Sequence, residues 1–112
     1  MFCRKKCAYS LEIIVVGAGK VGFTLAERLS LEGHDVTIID KNEAAVQHAS
    51  EALDVMCIKG NGVSPAVLKE AGVSRADFIL AATSMDEINM LCSLTSKKLG
   101  ARRSIARIRD VE

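Results

Sequence analysis

The sequence has 112 residues, 49% hydrophobic, 26% charged and 4% aromatic, with a formal net charge of +1. That length is expected to hold one compact domain without a second of ordinary size, and the composition excludes a disordered chain and an aromatic platform for single-stranded nucleic acid. The near-neutral total hides a segregation: residues 1–10 carry +3, residues 11–96 six basic against twelve acidic side chains, and residues 97–112 six basic against two acidic. So balanced a total argues against nucleic acid as a partner, whereas the basic ends suit another anionic surface.

In chain order, residues 1–11 read as an N-terminal extension, native or added, ahead of a domain over residues 12–112. The extension is basic, and its apolar run is too short for a signal-peptide core or a membrane span. EIIVVG, Glu12 to Gly17, is a β-branched apolar run and predicts a buried strand. A helix is expected from about Lys20 to Glu32, with Val21, Leu25 and Leu29 on its inner face and Gly33 as its stop. DVTIID, Asp35 to Asp40, predicts a second strand, and Asn42 caps a short helix to Ser50.

LDVMCIKG reads as a third strand ending near Lys59. Ser64 and Pro65 open another short helix, closed by Gly72, because serine caps orphan amides and proline tolerates the first helical position. A fourth strand is expected from Arg75 to Thr83. Ser84 and Glu87 have capping-box spacing, and Ile88, Leu91, Cys92, Thr95 and Leu99 then recur as one buried helical face ending at Gly100. SIARIR, Ser104 to Arg109, predicts a fifth strand.

This alternation predicts an α/β fold: a three-layer, Rossmann-like, doubly wound parallel sheet in the order 3-2-1-4-5. Such sheets commonly carry a sixth strand. It is missing from the pattern, so the fifth strand is expected to have a bare edge for another chain or a C-terminal continuation to cover.

Gly17, Gly19 and Gly22 form GAGKVG between a predicted strand and a predicted helix. In that setting the first glycine makes the tight turn, the second lets the backbone approach a pyrophosphate, and the third permits close helix packing, while helix amides face the anion. Asp40, twenty-one residues beyond Gly19, ends the second strand where a carboxylate can accept hydrogen bonds from the adenosine ribose hydroxyls. It would repel a 2′-phosphate, which favours NAD or NADH over the phosphorylated dinucleotide and leaves ATP or ADP open. A glycine turn that serves packing alone is the competing reading.

The candidate set for the ligand is Gly17, Ala18, Gly19, Lys20, Val21, Gly22, Asp40, Lys41, Gly60, Asn61, Thr83, Ser84 and Arg107. Lys20 reads either as a phosphate contact or as a solvated lysine. Thr83 and Ser84 end the fourth strand beside the strand-order reversal, where ligands sit, though Ser84 has its capping alternative. Gly60 and Asn61 form either a conformational turn or a wall beside the adenine. Arg107 reaches phosphate or a partner, with Arg109 as competitor, or else faces solvent.

No catalytic or metal site is expected. His34 and His48 are not placed with an acid and a nucleophile, the carboxylates have no paired spacing, Cys3, Cys7, Cys57 and Cys92 form no CxxC pair, and GxxxxGK[ST] is absent. The short chain disfavours an enzyme, since a dehydrogenase usually adds a substrate domain; a fragment of an NAD-dependent oxidoreductase is the alternative. A sensor domain is favoured, with Met90, Leu94 and Phe23 reading either as a subunit interface or as monomer core.

IIVVGAGKVGFTLAERLSLEGHDVTIIDKN closely resembles the Trk potassium-uptake regulators (TrkA) and the wider regulator-of-potassium-conductance family (RCK, also KTN), and KGNGVSPAVLKEAGVSRADFILAATSMDEINMLCSLTSKKLGARRSIARIRD continues the likeness. The resemblance implies a non-catalytic cytoplasmic domain, peripheral on the inner face of the cell membrane, that binds NAD(H), or ATP or ADP in relatives. It further implies dimers or rings beneath a membrane potassium transporter or channel. By motif, it assigns Gly17 through Gly22 to the phosphates, Asp40 to the ribose, Thr83 and Ser84 to the far side of the ligand, and Arg107 to a charged or inter-subunit contact. Relatives continue into a sixth strand, a crossover helix and a second ligand-binding domain, so the chain resembles an isolated N-terminal domain.

Overall fold

A computed structural model describes residues 10–109. The elements are β1 (Glu12–Val16), α1 (Lys20–Leu31), β2 (Asp35–Asp40), α2 (Glu43–Ala52), β3 (Met56–Lys59), α3 (Pro65–Glu70), a single 3₁₀ turn (Val73–Arg75), β4 (Phe78–Ala81), α4 (Asp86–Lys98) and β5 (Arg103–Ala106). The extension expected over residues 1–11 lies outside the described residues except for Ser10 and Leu11. Those two are tied to the β2 approach: Ser10 Oγ donates to the Gly33 carbonyl at 3.1 Å, and the Leu11 amide donates to His34 Nδ1 at 3.0 Å.

The five strands form one parallel sheet in the expected order β3-β2-β1-β4-β5. β1 is central, and its period-two alternation serves both faces. Ile13 and Val15 pack with Val36, Ile38, Ala26 of α1 and Ala49 of α2. Ile14 and Val16 pack with Ile39, Ile79, Leu68 of α3 and Cys92 of α4. A strand buried on both faces has no polar positions, which is why EIIVVG reads as a continuous apolar run.

Several boundaries and faces differ from expectation. β3 begins at Met56 and β4 at Phe78, because Leu53 to Val55 and Arg75 to Asp77 connect the preceding elements to the sheet. On α1 the buried centre is Gly22, Ala26 and Ser30, with Val21, Leu25 and Leu29 half-buried beside it. Small side chains let this helix approach the sheet closely, so the larger aliphatics flank the contact. On α4 the buried residues are Asn89, Cys92 and Ser96, and Leu91 is 50% exposed. The Ser84 capping box does not form: α4 starts at Asp86, with Met85 at the cap position and no side-chain cap. By contrast, Asn42 and Ser64 cap α2 and α3 through Ala45 N and Val67 N.

Candidate functional site

All five strands run to the same edge, and backbone bonds continue the ladders one residue beyond four of them. Gly17 N donates to Ile39 O at 2.7 Å, Gly60 N to Asp40 O at 2.9 Å, Ala82 N to Val16 O at 2.8 Å, and Arg107 N to Ala81 O at 2.9 Å. The segments that leave the sheet at its carboxyl edge are thereby held in place. Between them lies a cleft of about 480 Å³, a size that suits a small-molecule ligand.

One wall of the cleft is the glycine turn. Gly17 has φ +108°, a conformation that L side chains rarely adopt. A Cβ on Gly22 would lie 1.7 Å from the Gly17 carbonyl oxygen, so only glycine lets α1 start so close to the strand. At Gly19 a Cβ would meet no protein atom within 4 Å, and the space there opens to the cleft. Gly19 is also the N-cap of α1; no side chain caps the helix and no acid occupies its first turn. That leaves a helix N-terminus electrostatically suited to an anion.

Asp40 forms the adjoining wall and is joined to the turn. Its Oδ2 accepts from Ala18 N at 2.6 Å and its Oδ1 from Asn42 N at 2.8 Å. These are charge-assisted bonds that fix the carboxylate between the two loops. Each oxygen retains acceptor capacity, so the bonds do not consume the group. Lys41, Gly60 and Asn61 continue this wall, joined by Gly62, and Asn61 Oδ1 accepts from Val63 N at 3.0 Å to hold its own turn.

The far wall comes from Ala82, Thr83, Ser84 and Met85 after β4, Ile88 of α4, and Arg107 after β5. Arg109 points elsewhere: its Nη2 donates to the Ser84 carbonyl at 2.6 Å, and its amide faces the Asp86 carboxylate. The structure therefore brings every candidate residue to one cleft except Ala18 and Gly22, which lie beneath it as supports. Neither histidine lines the cleft. His34 holds Leu11, and His48 stacks on Phe23 with ring centroids 4.9 Å apart. Among the described residues no group of His, Cys, Asp and Glu is arranged to hold a metal ion.

Reading by sequence passed over Asn89. This fully buried residue bonds to Thr83 and to the Arg107 carbonyl. A polar residue between two hydrophobic ones on a helix signals exposure by periodicity alone; the local clue was its place three residues after Asp86, in the turn facing the end of β4. Val16, Ile39, Ala82, Met85 and Ile88 also line the cleft, but their apolar character is indistinguishable in sequence from that of core residues.

The chain is 45% identical over 102 residues to the Trk system potassium uptake protein TrkA homolog of Archaeoglobus fulgidus, covering 91% of this chain and 23% of that protein. It is 41% identical over 103 residues to the Trk system potassium uptake protein TrkA of Haemophilus influenzae, covering 91% and 22%. The chain thus spans less than a quarter of the length of these curated relatives. Among solved structures, the GsuK channel bound to NAD superposes with a TM-score of 0.70 at 22% identity, covering 87% of this chain and 18% of that one. The TrkA-N domain of the inner membrane protein ybaL from Escherichia coli gives 0.59 at 17% identity, covering 89% and 90%. At those identities the structural likeness speaks for the fold. The sequence likeness goes further, since the profile described as the TrkA-N domain matches residues 13–112, from the first buried strand through the glycine turn and Asp40 to the last strand, and the chain belongs to that family.

Proposed function

We propose that residues 12–112 form an NAD(H)-binding regulatory domain that acts on a membrane potassium transporter or channel through nucleotide-dependent rearrangement of subunits. The observation that carries the nucleotide is the joined turn and acid: Asp40 is bonded to the Ala18 amide at 2.6 Å, beside open space at Gly19 and the uncapped start of α1. The first-turn amides of α1 would receive the pyrophosphate, with Lys20 and Val21 at its edge. The remaining acceptor capacity of Asp40 would take the adenosine ribose hydroxyls, and Lys41, Gly60 and Asn61 would flank the adenine side. Thr83, Ser84 and Arg107 would meet the second half of the dinucleotide. Relatives named as potassium uptake proteins support the transport role, and the fit of a carboxylate to a free 2′-hydroxyl supports NAD(H) over NADPH.

The domain would supply binding and orientation; both histidines are engaged away from the cleft. Met90, Leu91 and Leu94 are exposed on α4. They are the surface on which a dimer or ring would form, and the assembly would sit in the cytoplasm on the inner face of the membrane. No helix among the described residues is long and apolar enough to cross a membrane. Calorimetric titration with NAD, NADH, NADPH, ATP, ADP and AMP tests the nucleotide reading. NAD or NADH is expected to bind more tightly than NADPH; binding of no adenine nucleotide would refute it, and preference for ATP or ADP would reassign the ligand.

A further inference from the structure

Asn89 has 0% exposure, and its side-chain amide is fully engaged. Oδ1 accepts from Thr83 N at 2.9 Å and from Thr83 Oγ1 at 2.7 Å; Nδ2 donates to Thr83 O at 3.1 Å and to Arg107 O at 2.9 Å. Its orientation is unambiguous, because the oxygen faces a backbone donor and the nitrogen faces two backbone carbonyls. The Thr83 hydroxyl in turn accepts from Met85 N at 3.2 Å. One side chain therefore grips the Thr83 backbone on both sides and ties the segment leaving β4 to the segment leaving β5.

Both gripped residues line the cleft on the side away from Asp40. In a doubly wound sheet, a dinucleotide lies across the strand-order reversal, with the adenosine on the side of the second strand and the other nucleoside over the fourth and fifth. The side-chain hydrogen bonds of Asn89 go to Thr83 and Arg107, on the half of the cleft that a mononucleotide would not use.

Resting on the NAD(H) reading above, we propose that Asn89 is a positioning residue for the second nucleoside, setting the separation of Thr83 and Arg107 so that the cleft favours a dinucleotide over AMP. Burial keeps Asn89 from the ligand itself. It acts through the two backbone segments it joins, as a group whose low-dielectric surroundings make loss of a partner costly.

The test compares NADH and AMP affinities of the 112-residue chain with those of Asn89→Ala and Asn89→Asp. NADH binding is expected to weaken about tenfold or more while AMP binding stays within about twofold. Equal losses for both ligands, or no loss for NADH, would overturn the proposal. NMR of the unmutated chain supplies a readout independent of how the variants fold: the Asn89 side-chain amide resonances should shift on saturation with NADH and stay in place with AMP. Resonances unmoved by NADH, or moved equally by AMP, would overturn it as well. If the unmutated chain binds neither ligand, the nucleotide reading itself fails; if it binds NADH and Asn89 proves indifferent, only the positioning role fails.

Discussion

Asp40 sits between two loops that have no covalent reason to be close. Its two oxygens hold Ala18 N and Asn42 N, so removing the carboxylate disturbs the glycine turn as well as any ribose contact. Asp40→Ala is expected to weaken NADH binding at least about tenfold, and Asp40→Asn, which keeps one acceptor oxygen, by less; calorimetry measures both. Gly22 carries a steric demand instead of an electrostatic one. With its Cβ position 1.7 Å from the Gly17 carbonyl oxygen, Gly22→Ala must push α1 off the strand. Urea unfolding should register a loss of about 1–3 kcal/mol. Both residues were legible in sequence, because turn, helix and acid fall in fixed order around a strand. Asn89 was not: its partners lie 6 and 18 residues away, and only the folded sheet brings them to one side chain.

At the scale of elements, the start of α4 separates local pattern from tertiary choice. Ser84 and Glu87 have the spacing of a capping box, but the Thr83 hydroxyl and Asn89 occupy the same turn with their own bonds, and the cap position falls one residue later, at Met85. Ser84→Ala should therefore change the unfolding free energy by no more than about 0.5 kcal/mol, whereas Asn42→Ala, which removes the bond to Ala45 N, should cost about 1 kcal/mol. Deeper in α4, burial pushes the Cys92 thiol up, with a smaller opposing effect from its contact with Ser96. The unfolded thiol ionises first, near pH ~8.5, so the stability owed to protonated Cys92 is complete below that pH and declines as the pH rises toward the folded value. Burial pushes Cys57 in the same direction. The parent chain should lose stability as the pH rises above about 8.5, and Cys92→Ser should lose less over the same rise.

Across the whole molecule, α4 places Met90 at 52% and Leu94 at 66% exposure. In sequence, Met90 and Leu94 read equally well as core or as interface; the sheet decides, because Asn89, Cys92 and Ser96 take the inward face. Leu94→Lys together with Met90→Lys is expected to shift any self-association toward monomer in sedimentation velocity without loss of secondary structure by circular dichroism. Strand order, the central position of β1, the glycine turn and its acid were determined by sequence alone, since each depends on short-range periodicity or on residues whose backbone and charge admit few alternatives. Tertiary structure alone decided that Ala18 lies beneath the cleft with its amide on Asp40, that α4 buries its polar stripe, and that Asn89 joins two strand ends. Those outcomes depend on which donors and acceptors from distant segments meet in a space closed to water, where each must find its partner.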